Sequence, residues 1–123
     1  KKEQSADAAE KPVKPEATFD DFAKLELRVG VILAAEKVQG KDKLLSLQVD
    51  LGEEKPRPIV AGIAQHYCAE SLVGRRIIVI ANLAPRKFGK GLVSHGMLLA
   101  AKSEDRLAIV TPADDLPAGS SVS

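Results

Sequence analysis

The sequence predicts an all-β fold: a closed Greek-key barrel of five short strands, with one short helix between strands 3 and 4 and a C-terminal extension. Three observations predict it. Apolar residues alternate with a period of two in Leu27-Val29-Val31-Leu33 and again in Leu45-Leu47-Val49-Leu51. The order of elements is three strands, a short helix and then two or three more strands. Finally, many short strands in a small chain favour closure, because a closed sheet has no exposed edges.

The elements follow in order. Residues 1–17 hold only Val13 as a larger aliphatic and four bases against four acids, which reads as a disordered linker. A chain that starts on a linker suggests a fragment of something larger upstream. Thr18 before Asp20 and Asp21 can cap a helical turn through Ala23, with Phe19 and Phe22 as apolar anchors. Leu27–Leu33 is the first strand, and Gly30 inside it suggests a bulge or sharp bend. Gln39-Gly40-Lys41-Asp42 is turn chemistry. Leu45–Leu51 alternates against Leu44, Ser46, Gln48 and Asp50, a second strand with one wet face. After the turn Gly52–Pro56, Arg57–Ala61 is the third strand. His66–Val73 reads as a short helix that Gly74 ends. Arg75–Asn82 is apolar on both faces over Ile77–Ala81 and is expected to be central. Ala84–Val93 reads as a loop, Met97–Ala101 and Leu107–Val110 as two further strands, and Pro117-Ala118-Gly119 closes the chain. A helix between the third and fourth strands is the feature of an OB-type barrel.

Composition bounds the function. The 123 residues have room for one domain and a tail; hydrophobic residues make up 45% and charged residues 28%. No apolar run approaches the roughly 18 residues of a membrane span, and the N-terminus does not read as a signal segment. A lone Cys68 makes no internal disulfide, which fits a cytoplasmic protein. The net charge is only +1, but its distribution is uneven. Residues 18–70 carry seven bases and nine acids, residues 71–103 six bases and no acid, and residues 104–123 four acids and one base. That asymmetry fits an anionic partner, nucleic acid or a membrane surface, and equally a solvated basic face.

Little here suits catalysis. His66 and His95 are the only histidines, nothing has zinc-ligand spacing, and Gly89-Lys90-Gly91 lacks the rest of a phosphate-binding loop. The expectation is a chain that is not itself an enzyme and needs no cofactor. The candidate site is the basic segment after the central strand. Arg86, Lys87 and Lys90 can pair with phosphate oxygens, and Asn82 and Ser94 can add neutral donors. Arg28 on the first strand, with Lys41 and Lys43 beside the first hairpin, can surround the same patch. Phe88, the aromatic inside the basic segment, either stacks on a base or packs into the barrel. Tyr67, Cys68 and Met97 are expected in the core, and His95 at the rim. Because so few aromatics stand ready to stack bases, a folded RNA read by shape and backbone fits better than an unstructured single strand.

Several segments together resemble the transfer-RNA-binding domain family. They are Phe22-Ala-Lys-Leu-Glu-Leu-Arg-Val-Gly30, Asp42-Lys-Leu-Leu45, Val49-Asp-Leu-Gly52, Ile59-Val-Ala-Gly-Ile63, Leu72-Val-Gly74, Val79-Ile-Ala-Asn-Leu-Ala-Pro-Arg-Lys87 and Ser94-His-Gly-Met-Leu-Leu-Ala-Ala101. The resemblance spans residues 18–123 and is strongest to the C-terminal domain of bacterial methionyl-tRNA synthetases. It implies an OB-type barrel that assists a synthetase by holding the outside of tRNA with little sequence preference. It further implies a homodimer and upstream catalytic domains as partners, with no membrane involved. It marks Asn82, Arg86, Lys87, Ser94 and Met97 as family-motif positions. Two departures stand out: Gln39-Gly40-Lys41 replaces the usual Pro-x-Ala, and His95 stands where Glu is usual. Two other roles compete with RNA binding, a module that chiefly dimerises and a chaperone-like module that binds protein.

Overall fold

The computed structural model describes residues 14–89 and 91–123. Most of the expected linker, and Lys90, lie outside the described residues. Residues 14–17 are exposed and have no regular structure.

Helix α1 (Phe19–Ala23) begins where the sequence places it. Asp21 N–H donates to Thr18 Oγ1 at 3.2 Å and Thr18 N–H donates to Asp21 Oδ2 at 3.0 Å, a reciprocal capping box. Its phenylalanines do not anchor it in the core as expected. Phe19 is 78% exposed and Phe22 41%, because five residues make barely more than one turn and the helix buries none of them. The two rings lie against each other, with centroids 6.4 Å apart.

The barrel uses strands β1 (Leu27–Val38), β2 (Lys41–Asp50), β3 (Arg57–Ala61), β4 (Arg76–Ile80) and β7 (Met97–Leu98), hydrogen-bonded in the order β3-β2-β1-β4-β7. β1 is longer than its alternation suggests. Leu27–Val31 pair with β4, and Val31–Val38 pair with β2. Its register against β2 shifts twice, between Ile32 and Ala34 and between Lys37 and Val38, and not at Gly30. Leu33, the residue inside the first shift, turns outward, 48% exposed, while Ile32 is fully buried. Gly30 serves a different need: a Cβ there would lie 2.6 Å from Val49 Cγ1. Glycine leaves room there for the side chains of the neighbouring strand β2.

Short elements bring the walls together. β5 (Arg86–Lys87) and β6 (Val93–Ser94) pair with each other between β4 and β7. β3 then meets β6 through His95 N–H donating to Pro58 O at 2.9 Å and Val60 N–H donating to Ser94 Oγ at 2.9 Å. Ile32, Leu45, Leu47, Val49, Ile59, Leu72, Ile77 and Val79 fill the interior at 0% exposure. Each such side chain contributes about 1.5–3 kcal/mol of burial.

Helix α2 (Ala69–Leu72) buries Ala69 and Leu72 in that core and is half the length the sequence suggests. Upstream of it the chain forms turns, with His66 and Tyr67 N–H both donating to Ile63 O. Tyr67 packs against the core and its hydroxyl accepts from Ile109 N–H at 3.0 Å. Cys68 is exposed rather than core, since it precedes the helix in extended backbone. The strand expected over Met97–Ala101 breaks at Leu99, leaving β7 and a separate hairpin of β8 (Ala100–Ser103) and β9 (Arg106–Ile109). The C-terminal extension returns to the sheet as β10 (Ser121–Val122), which pairs with Leu27 and Arg28 of β1. There it covers the edge of β1 that β2 does not reach.

Candidate nucleic-acid interface

The segment expected as a loop over Ala84–Val93 is a β-hairpin. Arg86 pairs with Ser94 and Lys87 with Val93, and Phe88 N–H donates to Leu92 O at 2.8 Å. Gly89 and Gly91 take positive φ values of 135° and 75°, which a glycine adopts without steric cost. The ladder holds Arg86 and Lys87 out in solvent. The Arg86 guanidinium lies over the Phe88 ring, 4.9 Å from its centroid, so the cation is presented on an aromatic base.

The first hairpin comes alongside. Cε and Nζ of Lys41 both lie 3.5 Å from the point where a Cβ on Gly89 would sit. Lys43, two residues along β2, is exposed as well. Lys41, Lys43, Arg86 and Lys87 are thus carried on two adjacent hairpins, and none of the four takes part in an ion pair among the described residues.

Arg28 and His95 belong to a second group. Arg28 is ion-paired with Glu26 and, at 3.5 Å, with Glu53. Glu53 is shared with Arg57 at 2.5 Å, and the Arg57 guanidinium also donates to the carbonyls of Ala81 and His95. His95 is exposed, at the rim of an open pocket that Glu53, Arg57 and Leu83 also line. Charge here is balanced, two arginines against two glutamates, and pairs this exposed contribute about 1 kcal/mol or less. Arg57 is the residue the sequence reading missed. It opens an apolar strand, and its three acceptors are distant in sequence or across a turn.

Asn82 and Ser94 are spoken for within the fold. Asn82 Oδ1 accepts from Glu26 N–H at 2.8 Å while its Nδ2 donates to Lys24 O at 2.7 Å, which fixes the segment leading into β1. Ser94 is 2% exposed; its hydroxyl accepts from Val60 N–H and donates to Gly96 O at 2.8 Å. Met97 is 42% exposed and not core, because strand alternation gives the inward position to Leu98.

Beside the basic hairpin lies a cavity of about 560 Å³ with walls from Leu44, Val60, Ile63, Met97 and Leu107, lined also by Phe88 and Arg86. Among the described residues no three His, Cys, Asp or Glu side chains converge as a metal site, and no helix is long and apolar enough to cross a membrane.

Comparison with known proteins agrees with this architecture. A family model described as "Putative tRNA binding domain" matches residues 27–121. The chain is 50% identical to a methionine–tRNA ligase of Parabacteroides distasonis over 123 residues, covering 99% of this chain and 18% of that protein. It is 54% identical to the corresponding ligase of Thermotoga maritima over 106 residues, covering 86% of this chain and 16% of that one. The chain therefore spans less than a fifth of the length of these curated relatives. Among solved structures, the MetRS related protein from Pyrococcus horikoshii superposes with a TM-score of 0.80 at 36% identity, covering 89% of this chain and 99% of that one. The chaperone CsaA from Bacillus anthracis str. Ames superposes with a TM-score of 0.79 at 29% identity, covering 88% and 99%. Matched over most of its length by the family model, and folded as an OB-like barrel, the chain belongs to the tRNA-binding domain family.

Proposed function

We propose that this domain is the tRNA-holding appendage of a cytoplasmic methionine–tRNA ligase, doing no chemistry itself and gripping the folded tRNA body with little sequence preference. The observation that carries the reading is the apposition of Lys41 with the Gly89 turn of the hairpin that bears Arg86 and Lys87. It gathers cations from distant parts of the sequence at one place, in a chain whose net charge is only +1. Cations on two hairpins match a ridge of phosphates, and they grip backbone without reading base edges.

The same reading includes a homodimer. Val110 and Leu116 are exposed apolar residues on the C-terminal segments, and a twofold axis through that region would present two basic hairpins to one RNA or to two. Replacement of Leu116 by Asp is expected to shift sedimentation toward the monomer.

The RNA reading is tested by titrating the chain with unfractionated tRNA from about 50 to 200 mM salt. Three neutralised phosphates give a log–log slope of about −2 to −3. The Arg86→Ala/Lys87→Ala double variant is expected to lose affinity and flatten that slope by about 1.5. A wild-type affinity indifferent to salt would sink the proposal. A second reading, binding of unfolded polypeptide, draws on the likeness to CsaA and on the apolar cavity. Under it, a reduced and unfolded protein displaces tRNA or binds where tRNA does not.

A further inference from the structure

The basic hairpin adjoins an apolar cavity, and nothing in phosphate binding needs one. Its volume of about 560 Å³ is within the usual range for a small-ligand site, and its walls are aliphatic apart from Phe88 and Arg86. Ser94 also lines it, but that hydroxyl is already committed to Val60 and Gly96. The cavity therefore offers faces to pack against and few hydrogen bonds to a ligand's edge. Among the described residues no acidic side chain lines it, and Arg86 joins it directly to the cationic surface.

We propose that this cavity takes one unstacked base of the bound RNA, packed among Val60, Met97 and Leu107 and against the Phe88–Arg86 pair, while Arg86, Lys87 and Lys41 hold the flanking phosphates. The inference rests on the RNA reading above and names what the same site does beyond neutralising backbone. Charge complementarity decides the occupant. An apolar peptide would fill the walls equally well but would gain nothing from the cations beside them. Every nucleotide brings a flat apolar face and an anion together, at a spacing that a rim arginine on an aromatic ring can match. Folded RNAs also present unstacked bases in loops and bulges, where unpairing has already been met by the RNA itself. With no edge-reading groups in the walls, any base enters, which agrees with binding that has little sequence preference.

The test is a fluorescent reporter, Phe88→Trp, alone and combined with the cavity-filling change Ala100→Phe. Ala100 is exposed at the start of β8 and lines the cavity, and a β-strand accepts phenylalanine well. Retention of the thermal midpoint shows that the barrel still forms. Unfractionated tRNA is expected to quench the indole emission of the reporter by stacking. Ala100→Phe is expected to abolish the quench and weaken tRNA binding about tenfold, the scale of one lost base stack, while leaving the salt slope unchanged. An unchanged affinity together with no quench in the reporter overturns the base pocket yet leaves the RNA reading standing, because salt-dependent binding persists. Quenching by a reduced, unfolded protein but not by tRNA gives the cavity to polypeptide and overturns the proposal. Failure of the wild type to bind tRNA at any salt overturns both readings at once.

Discussion

Gly52 and Gly119 cross backbone to backbone. A Cβ on Gly52 would meet Ala118 O at 2.9 Å and Gly119 Cα at 3.0 Å, and a Cβ on Gly119 would meet Leu51 O at 2.9 Å. Both residues also have positive φ, 79° and 91°. The crossing seats the C-terminal segment so that Gly119 N–H donates to Val29 O at 2.7 Å and Val29 N–H donates to Ser120 O at 2.9 Å. A segment that reads in sequence as a trailing extension is therefore part of the sheet.

Gly119→Ala meets both penalties, a left-handed backbone and a collision with backbone that has no soft end to yield. The expected loss is about 2–4 kcal/mol, from a strained φ of about 1–3 kcal/mol plus the displacement of neighbouring chain. A urea midpoint measures it. Hydrogen exchange at Val29 is expected to speed up more than exchange at Leu47, because the strap lifts before the barrel opens. Equal protection at both sites would show that the strap and barrel unfold as one.

The alternating stretches and the turn chemistry made the barrel strands legible, since each depends on neighbours in sequence. The capping box at Thr18 was legible for the same reason. What local pattern missed was set by distant partners. Leu27, Val29 and Val31 alternate as one face of β1, but Gly30 and Ile32 on the other face are the ones turned into the barrel, because β2, β4 and the C-terminal strap pair along the edges of β1 and close the sheet around that face. The basic hairpin was legible as charge but not as a hairpin, because two-residue strands carry no periodicity. Ser94 and Asn82 looked like free donors, and only the fold reveals that their groups complete its own backbone bonding.

Ser94→Ala is expected to cost about 1–3 kcal/mol, the penalty for leaving the buried Val60 N–H without its acceptor. The hydroxyl sits at the seam where β3 meets β6, so the variant loosens closure rather than contact with RNA. Thermal unfolding checks the loss. The salt slope for tRNA per folded molecule is expected to remain that of wild type, and a flattened slope would instead assign Ser94 to the phosphate contacts.

Lys41→Glu is expected to act oppositely, with little change in stability and a large change in binding. Lys41 is exposed and its tip lies beside Gly89, so reversing it puts an anion next to the basic hairpin. The affinity for tRNA is expected to fall more than tenfold at low salt and the slope to flatten by about one to two. Lys41→Ala is expected to flatten it by about one at most. A Lys41→Glu variant that binds like wild type would separate the first hairpin from the interface.

Gly30 and Val49 can be tested as a pair. The backbone of Gly30 is ordinary extended strand, so Gly30→Ala carries no conformational penalty; its whole cost is the 2.6 Å approach to Val49 Cγ1 and the 3.0 Å approach to Leu51 Cδ2. Overpacking of that kind costs about 1–3 kcal/mol, and Val49→Ala alone leaves a void costing a similar amount. The double variant moves volume from β2 to its paired neighbour β1. It is expected to be at least 1 kcal/mol more stable than the sum of the two losses predicts, well beyond the agreement of about 0.5 kcal/mol shown by independent sites. Simple additivity in urea unfolding would mean that β1 shifts to admit the methyl, and that the close approach of Val49 does not depend on the glycine.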